Sequence, residues 1–352
     1  MVKEKDLIEI DGSYGEGGGQ ILRTALALSA ILKKPFRVNK IRAGRRKPGL
    51  QPQHLRAVEA LARLSQAHIA GATIGSDSIT FTPQDIVPGN YSFDVGTAGS
   101  VTLLLQALLP PLCLAKGKSW LTLSGGTHVD WSPPFHYLEW VLFPVLRTMG
   151  VSVKINIERW GWYPRGGGVI HIEIDPESEI KPLLLLERGG LIRIHGLSVS
   201  SNLPAHVSER QREYARIKIK EEFNVDSEIQ MDSNAPANGP GSFLLLLAEF
   251  EKITAGFSSL GKRGKKAEDV AKDAVEDLTD YLFSDGCLDP HSADQIVVFM
   301  GLTKGSSAFT TTRITEHLLT NLWVIRRFLD VEVKVSGELR ESGRVDLSSQ
   351  SY

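Results

Sequence analysis

A glycine-rich turn, a run of arginines and one histidine are the residues of this chain best suited to phosphate chemistry. The turn is Gly12-Ser-Tyr-Gly-Glu-Gly-Gly-Gly-Gln20. It lies between an apolar strand pattern and a helical one. Glycines there let backbone N–H groups approach an anion, and a helix N-terminus adds positive potential. The spacing is neither a Walker loop nor the dinucleotide fingerprint, because Gln20 stands where the third glycine would be. A tight strand-to-helix turn without a ligand is the plain alternative. Glu16 is the odd residue. A carboxylate repels phosphate unless a metal ion bridges them, so Glu16 is a candidate metal ligand.

The densest positive run in the first half is Arg42-Ala-Gly-Arg-Arg-Lys-Pro-Gly49, followed by Gln53-His54 in a first helical turn. Arginine presents a planar fork of donors that suits phosphate. Arg23, Arg42, Arg45, Gln53 and His54 form a candidate phosphate grip; the alternative is a solvated charge run. Lys262-Arg-Gly-Lys-Lys266 reads as a plain exposed loop. Of the nine histidines, none has a zinc-ligand spacing. His317 stands out by position. In a helix from about Thr315 to Phe328 the core stripe is Leu318, Leu322 and Ile325. At ~100° per residue His317 lies beside that stripe, with Arg313 and Asn321 on the same shoulder. A half-exposed histidine there suits a nucleophile or base, although spacing alone more readily describes a surface histidine. Asp294-Gln295 follow Pro290-His291-Ser292-Ala293 and precede an apolar run. Such an Asp orients a histidine, binds a ribose or metal, or bonds its own loop.

The elements that must position these residues alternate strand and helix. Strands are expected at Leu7 to Ile10, Phe36 to Ile41, Ala67 to Ala72 and Ser78 to Thr82, with helices from Ile21 and from Pro52. The pattern recurs: a strand at Tyr91 to Val95, the turn Gly96-Thr-Ala-Gly-Ser100, a helix to Leu109, a strand at Trp120 to Ser124, a helix around Phe135 to Met149, and two strands at Val151 to Ile157 and Gly168 to Ile174. A third unit opens with a strand at Gln295 to Gly301. It continues with a Thr-rich strand, the His317 helix and a strand at Val331 to Val335. The expected fold is α/β (α+β), with three βαβαββ units in a large domain, 1–186 plus 287–352. A smaller α/β domain, 187–286, is inserted; its loop is Asn234 to Gly241. Trp160 to Gly168 is an aromatic, Gly-rich loop. Gly337 to Tyr352 carries no assigned role.

Composition sets the bounds. The chain has 352 residues, 42% hydrophobic and 23% charged, as a soluble globular protein does. Lys and Arg number 40 against 41 Asp and Glu, a net charge of -1, which excludes nucleic-acid binding through bulk positive charge. A local basic site is compatible with that balance. Cys113 and Cys287 cannot build a disulfide framework or a zinc site. The start, MVKEKDLIEIDG, shows no secretory signal, and the apolar stretch Val101 to Ala115 is too short and interrupted to span a bilayer. A cytoplasmic protein without a membrane partner is expected, its oligomeric state open.

Seven segments, in order, resemble the RNA 3′-terminal phosphate cyclase family. They are Asp11-Gly-x-x-Gly-Glu-Gly-Gly-Gly-Gln-Ile-Leu-Arg23; Ile41-Arg-Ala-Gly-Arg-x-Lys-Pro-Gly-Leu50 with Gln53-His54-Leu55; Gly96-x-Ala-Gly-Ser100; Ser124-Gly-Gly-Thr127; Tyr163-Pro-x-Gly-Gly-Gly168; Ala293-Asp-Gln295; and His317-Leu-Leu-Thr-Asn321. The resemblance implies conversion of an RNA 3′-phosphate to a 2′,3′-cyclic phosphate, using ATP with Mg²⁺ or Mn²⁺. His317 is then the nucleophile that carries AMP. The adenylate passes to the RNA 3′-phosphate, and the 2′-hydroxyl attacks and releases AMP. The resemblance also implies an ATP site of Gln106, Pro133, Phe257, His291, Ser292, Ala293, Asp294 and Gln295. Arg23, Arg42, Arg45, Gln53 and His54 would hold RNA or ATP phosphate, and Glu16 the metal. Two departures from the family pattern, Trp160 and His291, are expected at the nucleotide pocket. Rival readings are a non-catalytic relative serving ribosome assembly, which lacks the histidine, and an enolpyruvyl transferase of similar repeated units.

Overall fold

The computed structural model describes residues 7–176 and 179–349. Residues 1–6, on which part of the expectation about a secretory signal rests, and the last three of the sequence lie outside them. The first unit is β1 (Ile8–Asp11), α1 (Gly19–Leu32), β2 (Phe36–Asn39), α2 (Pro52–Ser65), β3 (His68–Ala70) and β4 (Ile79–Thr82). The second is β5 (Asn90–Asp94), α3 (Val101–Cys113), β6 (Ser119–Gly125), α4, β7 (Ser152–Arg159) and β8 (Gly168–Asp175). Helix α4 is a continuous run of Phe135–Tyr137, a π-helical Leu138–Leu142, and Phe143–Thr148. Then come β9 (Leu184–Leu185), β10 (Leu191–Ser201), α5 (His206–Phe223), β11 (Ser227–Asp232), β12 (Gly241–Phe250), β13 (Thr254–Leu260) and α6 (Ala267–Phe283). The chain closes with α7 (Pro290–Gly301), β14 (Gly305–Thr311), α8 (Glu316–Phe328), β15 (Val331–Ser336) and β16 (Gly343–Ser349).

Three four-stranded sheets have the orders β1-β2-β4-β3, β5-β6-β8-β7 and β9-β14-β16-β15. In each, the first pair is parallel and the next two are antiparallel. The fourth sheet, β11-β10-β12-β13, lies in the chain between β9 and α7 and is packed by α5 and α6. Helix α1 packs against α8, α3 and α2, and α7 packs against α8. Helix α1 is buried from Gln20 to Ala30 at every position but the half-buried Arg23, so it is an inner helix rather than a surface one. Strands such as β7 alternate exposed and half-buried residues, as an outer sheet face does. Among the described residues no helix is long and apolar enough to cross a membrane.

Four expectations are corrected. Gln295 to Gly301 is not a strand but the body of α7. Asp289 caps that helix, its Oδ1 accepting from the N–H groups of His291 (3.0 Å) and Ser292 (3.1 Å), and Pro290 takes the first position. The run Ile296-Val-Val-Phe-Met300 is buried all round, and a short apolar run has no period to separate helix from strand. Second, α3 does not end at Leu109. It continues through Pro110-Pro111, whose fixed φ suits the helix and whose missing donors leave only the carbonyls of Gln106 and Ala107 without a bond from them. Third, the tail carries β16, paired between β14 and β15 with Val345 and Leu347 buried. Fourth, the polar β11 and the small-residue β13 were not read as strands. The latter needs its antiparallel partner β12 to bury Ala255 and Phe257.

A chain of imidazoles lies where the second sheet's loops meet β12. The N–H of Gly161 donates to Thr127 Oγ1 (2.9 Å), and the Thr127 hydroxyl is hydrogen-bonded to His128 Nδ1 (2.8 Å). His128 Nε2 shares one proton with His136 Nδ1 (3.0 Å), one ring donating and the other accepting. Trp160 stacks on His128, centroids 4.1 Å apart, and Phe243 meets it edge-on. Trp160 is thus a core residue at 5% exposure and does not line a nucleotide pocket. Burial holds His128 well below its ordinary value and His136 at about 3. An unfolded histidine titrates near ~6.5. Below that value the unfolded chain takes up protons that the folded one refuses, so stability is full above it and falls as pH drops towards the folded values. Each histidine contributes about 1 kcal/mol per pH unit across that window. Urea unfolding at pH 7 and pH 5 is expected to show the loss. His136→Gln keeps a hydrogen-bonding partner for His128 and should make the pH dependence shallower. An unchanged dependence would count against this assignment.

Candidate active site

A cleft of ≈ 1140 Å³ collects the N-terminal turns of α1, α2, α7 and α8. Gly19 and Gln20, Gln53 and His54, Pro290 and His291, and His317 with its cap Thr315 all line it. Four such ends turn the positive potential of their helix dipoles towards one space, a setting for an anion.

His317 sits in the first turn of α8. The Thr315 hydroxyl oxygen accepts from Leu318 N–H (2.9 Å), and that hydroxyl donates to Asp294 Oδ1. The Gln20 amide N donates to the His317 carbonyl (2.7 Å), so Gln20 Oε1 is left to accept from His317 Nδ1. The proton therefore resides on Nδ1, and Nε2 carries the lone pair. Glu16 Oε2 lies 3.0 Å from Nε2 and 2.9 Å from an Arg45 guanidinium nitrogen. Burial lowers the pKa of His317, Glu16 opposes this, and Arg23, Arg45 and His291 reinforce it. The result is a neutral, nucleophilic imidazole at neutral pH.

Behind it, Asn321 ties three helices. Its Nδ2 donates to the Asp294 carbonyl (2.5 Å), and its Oδ1 accepts from Thr24 (2.7 Å). Burial, with Asp289 and Glu16 nearby, raises Asp294 to about 8 against the opposing Thr315 bond. Its carboxyl is protonated at neutral pH.

The cations come chiefly from the first unit. Arg23 projects from α1, and burial lowers its guanidinium only to about 10, so it stays charged. His54 completes a capping box with Gln51, whose backbone N–H donates to Nδ1 (3.3 Å); the ring proton is therefore on Nε2. Burial, then Arg23 and Arg42, hold it at about 3. Nε2 faces α1 so closely that a Cβ on Gly19 would lie 2.2 Å from it, which is why a glycine stands there. Arg42 donates to the carbonyls of Lys47 and Gly49, so its guanidinium shapes the loop that carries Arg45.

Thirteen of the expected site residues line the cleft: Glu16, Arg23, Arg42, Arg45, Gln53, His54, Gln106, Pro133, Phe257, His291, Asp294, Gln295 and His317. Gln106 donates to Gln295 (2.6 Å), and Gln295 to the His291 carbonyl (2.9 Å). Pro133 accepts from Thr102 (2.7 Å), and Phe257 tilts against Tyr281, 5.1 Å between centroids. Ser292 and Ala293 are buried away from the cleft. Ser292 donates to Asp289 (2.9 Å) and meets the Tyr137 hydroxyl (2.7 Å), which holds the α7 N-terminus.

Sequence reasoning passed over several residues here. Gln20 was visible as the break in the glycine pattern. Lys262 and Lys265, read as plain loop, line the cleft and pair with Asp130 (3.2 Å) and Asp273. Asp273, Asp277 and Asp280 of α6 make the opposite wall acidic; no local pattern marks a helix face that a distant element will meet.

The family model described as RNA 3′-terminal phosphate cyclase matches residues 14–335. The chain belongs to the RNA 3′-terminal phosphate cyclase family. It is 45% identical over 345 residues to a protein of that name from Staphylothermus marinus, covering 96% of this chain and 97% of the relative. With the namesake from Pyrococcus furiosus it shares 42% over 346 residues, 98% and 100% of the two chains. A solved structure of the enolpyruvyl transferase NikO from Streptomyces tendae aligns with 98% of this chain and 48% of its own at a TM-score of 0.38 and 11% identity. That likeness is too slight to carry an argument. The family match spans every helix N-terminus that this cyclase-family chain brings to the cleft.

Proposed function

We propose that this protein converts the 3′-phosphate of an RNA end to a 2′,3′-cyclic phosphate at the expense of ATP. The observation that carries the reading is His317: a neutral imidazole in the cleft, its proton held on Nδ1 and its Nε2 beside Glu16 and the Arg45 that pairs with it. Nε2 attacks the α-phosphorus of ATP, an N–P bond forms, and diphosphate leaves. An oxygen of the RNA 3′-phosphate then takes the AMP group as the N–P bond breaks. A phosphate monoester is a poor electrophile, and adenylation supplies the leaving group. The 2′-oxygen attacks the activated phosphorus, its proton is lost, the ring closes and AMP departs.

In this scheme Arg23, Arg45, Gln53 and His54 hold phosphate oxygens, and Arg42 keeps their loop in shape. Gln106, Pro133, Phe257, His291, Asp294 and Gln295 bound the adenosine, with Ser292 and Ala293 contributing through the α7 backbone. Among the described residues no group of three or more His, Cys, Asp or Glu is arranged to hold a metal. Mg²⁺ commonly needs only one or two carboxylates beside substrate phosphates and water, so Glu16, the carboxylate beside His317, fits that ion or Mn²⁺. Bound there, the ion would neutralise phosphate charge. Residues 187–286 act as an inserted smaller domain that supplies one wall, 1–186 with 287–352 forming the larger one. A cytoplasmic setting accords with ATP and RNA as substrates.

The test is cyclisation of a 3′-phosphorylated oligoribonucleotide with ATP and Mg²⁺, read as a phosphatase-resistant end. A 3′-hydroxyl end or a terminal 2′-deoxy nucleotide should give no cyclic product. The near-neutral charge predicts a shallow salt dependence. Absence of cyclic product from the ribonucleotide would overturn the reading.

A further inference from the structure

Trp131 stands at the cleft with 97% of its surface exposed. Its backbone is left-handed, φ +62°, a region that bulky side chains rarely adopt and that glycine or asparagine enters at lower cost. The loop around it is held in place: Ser132 donates to the Val129 carbonyl (2.9 Å), and Asp130 pairs with Lys262 (3.2 Å). An unfavourable backbone thus presents an indole, both faces open, beside a cation. Nothing in the fold uses that ring.

We propose that Trp131 is a stacking platform for a nucleobase of the RNA close to its reacting 3′ end. This rests on the reading that the cleft acts on RNA 3′-phosphates. Stacking on an aromatic ring tolerates any base. It supplies affinity that a chain of net charge -1 does not draw from the phosphate backbone. The adenine of ATP has a π face too. The adenosine candidates Phe257 and Gln106, however, are buried or half-buried within the cleft, whereas Trp131 is open to solvent, where a strand can run on outward.

Cyclisation kinetics with RNA varied at saturating ATP, and then the reverse, test this. Trp131→Ala is expected to raise KM for RNA about tenfold to a hundredfold, and Trp131→Tyr to keep most of the affinity. Trp131→Gly should weaken RNA as much as alanine does, with a thermal midpoint at or above wild type because the backbone strain is relieved. KM for ATP, and uptake of α-phosphate label without RNA, should be unchanged. An abasic terminal nucleotide should bring wild type to the level of Trp131→Ala and leave that variant unaffected. An unchanged KM for RNA overturns the proposal. So does a loss confined to ATP, which would assign the indole to adenine. If wild type cyclises no RNA, the functional reading fails. Binding of the same RNA then still decides the indole's role, equal Kd values for wild type and Trp131→Ala overturning it.

Discussion

Incubated with Mg²⁺ and ATP labelled at the α-phosphate, the protein is expected to take up acid-labile label, and His317→Ala to take up none. The expectation comes from the orientation of one ring. Nδ1 is committed to Gln20, so the lone pair lies on Nε2. Glu16 lies 3.0 Å from Nε2 in the free protein, an ion pair only while the imidazole is protonated. Burial and the neighbouring cations favour loss of that proton. Arg45, 2.9 Å from the same carboxylate oxygen, offsets the negative charge that Glu16 sets beside the ring. A phosphorus–nitrogen bond to imidazole survives alkali and breaks in acid, which separates it from a phosphoester on serine. Cyclisation should fall with the label, by more than about a thousandfold, the scale on which removing a covalent nucleophile acts. Label retained by a folded His317→Ala protein would mean that another group carries AMP.

Gln20→Leu is expected to slow label uptake about a hundredfold, although residue 20 need not touch ATP. The two ring nitrogens have competing acceptors, Gln20 Oε1 at Nδ1 and Glu16 Oε2 at Nε2. With Gln20 removed, the proton moves to Nε2 and faces Glu16, and the lone pair turns away from the cleft. Losses of up to ~10⁴ follow when an active-site imidazole is held in the wrong tautomer. Gln20→Glu separates this from a packing defect. Its carboxylate still accepts from Nδ1 but stabilises the imidazolium, so His317 titrates at higher pH. The acid limb of the rate profile should move up, with activity recovered in alkali. Wild type should stay active below ~6.5, its histidine pKa being lowered. Gln20→Leu should recover at no pH. If both variants lose activity by the same factor at every pH, Gln20 is a packing residue only.

How much of this was legible before the structure depends on whether the signal is local. The amphipathic α2 and α8, the glycine turn and the Arg42 loop announce themselves within a few residues, so their placement could be anticipated. Helix α7 could not be told from a strand, since burial on all sides erases the period that distinguishes the two. His317 looked like a surface residue because its partners, Glu16 and Gln20, are some three hundred residues away and meet it only when α1 packs on α8. The resemblance to a family supplied the roles that spacing could not. It erred on Trp160, placed at the nucleotide, because an aromatic substitution says nothing about which way the ring turns.

The position of β16 sets an order of events during synthesis. Residues 343–349 fill the gap between β14 and β15, yet both of those strands leave the ribosome first. Until β16 arrives, the two strands flanking α8 in the chain have no hydrogen-bonded contact with each other, although α8 itself already has α1 and α7 to rest on. A product that ends before residue 343 therefore holds every residue named in the cleft but leaves β14 and β15 unjoined. Nascent and truncated products would carry His317 on its helical bed before the third sheet is closed, so the cleft and that sheet are completed at different times.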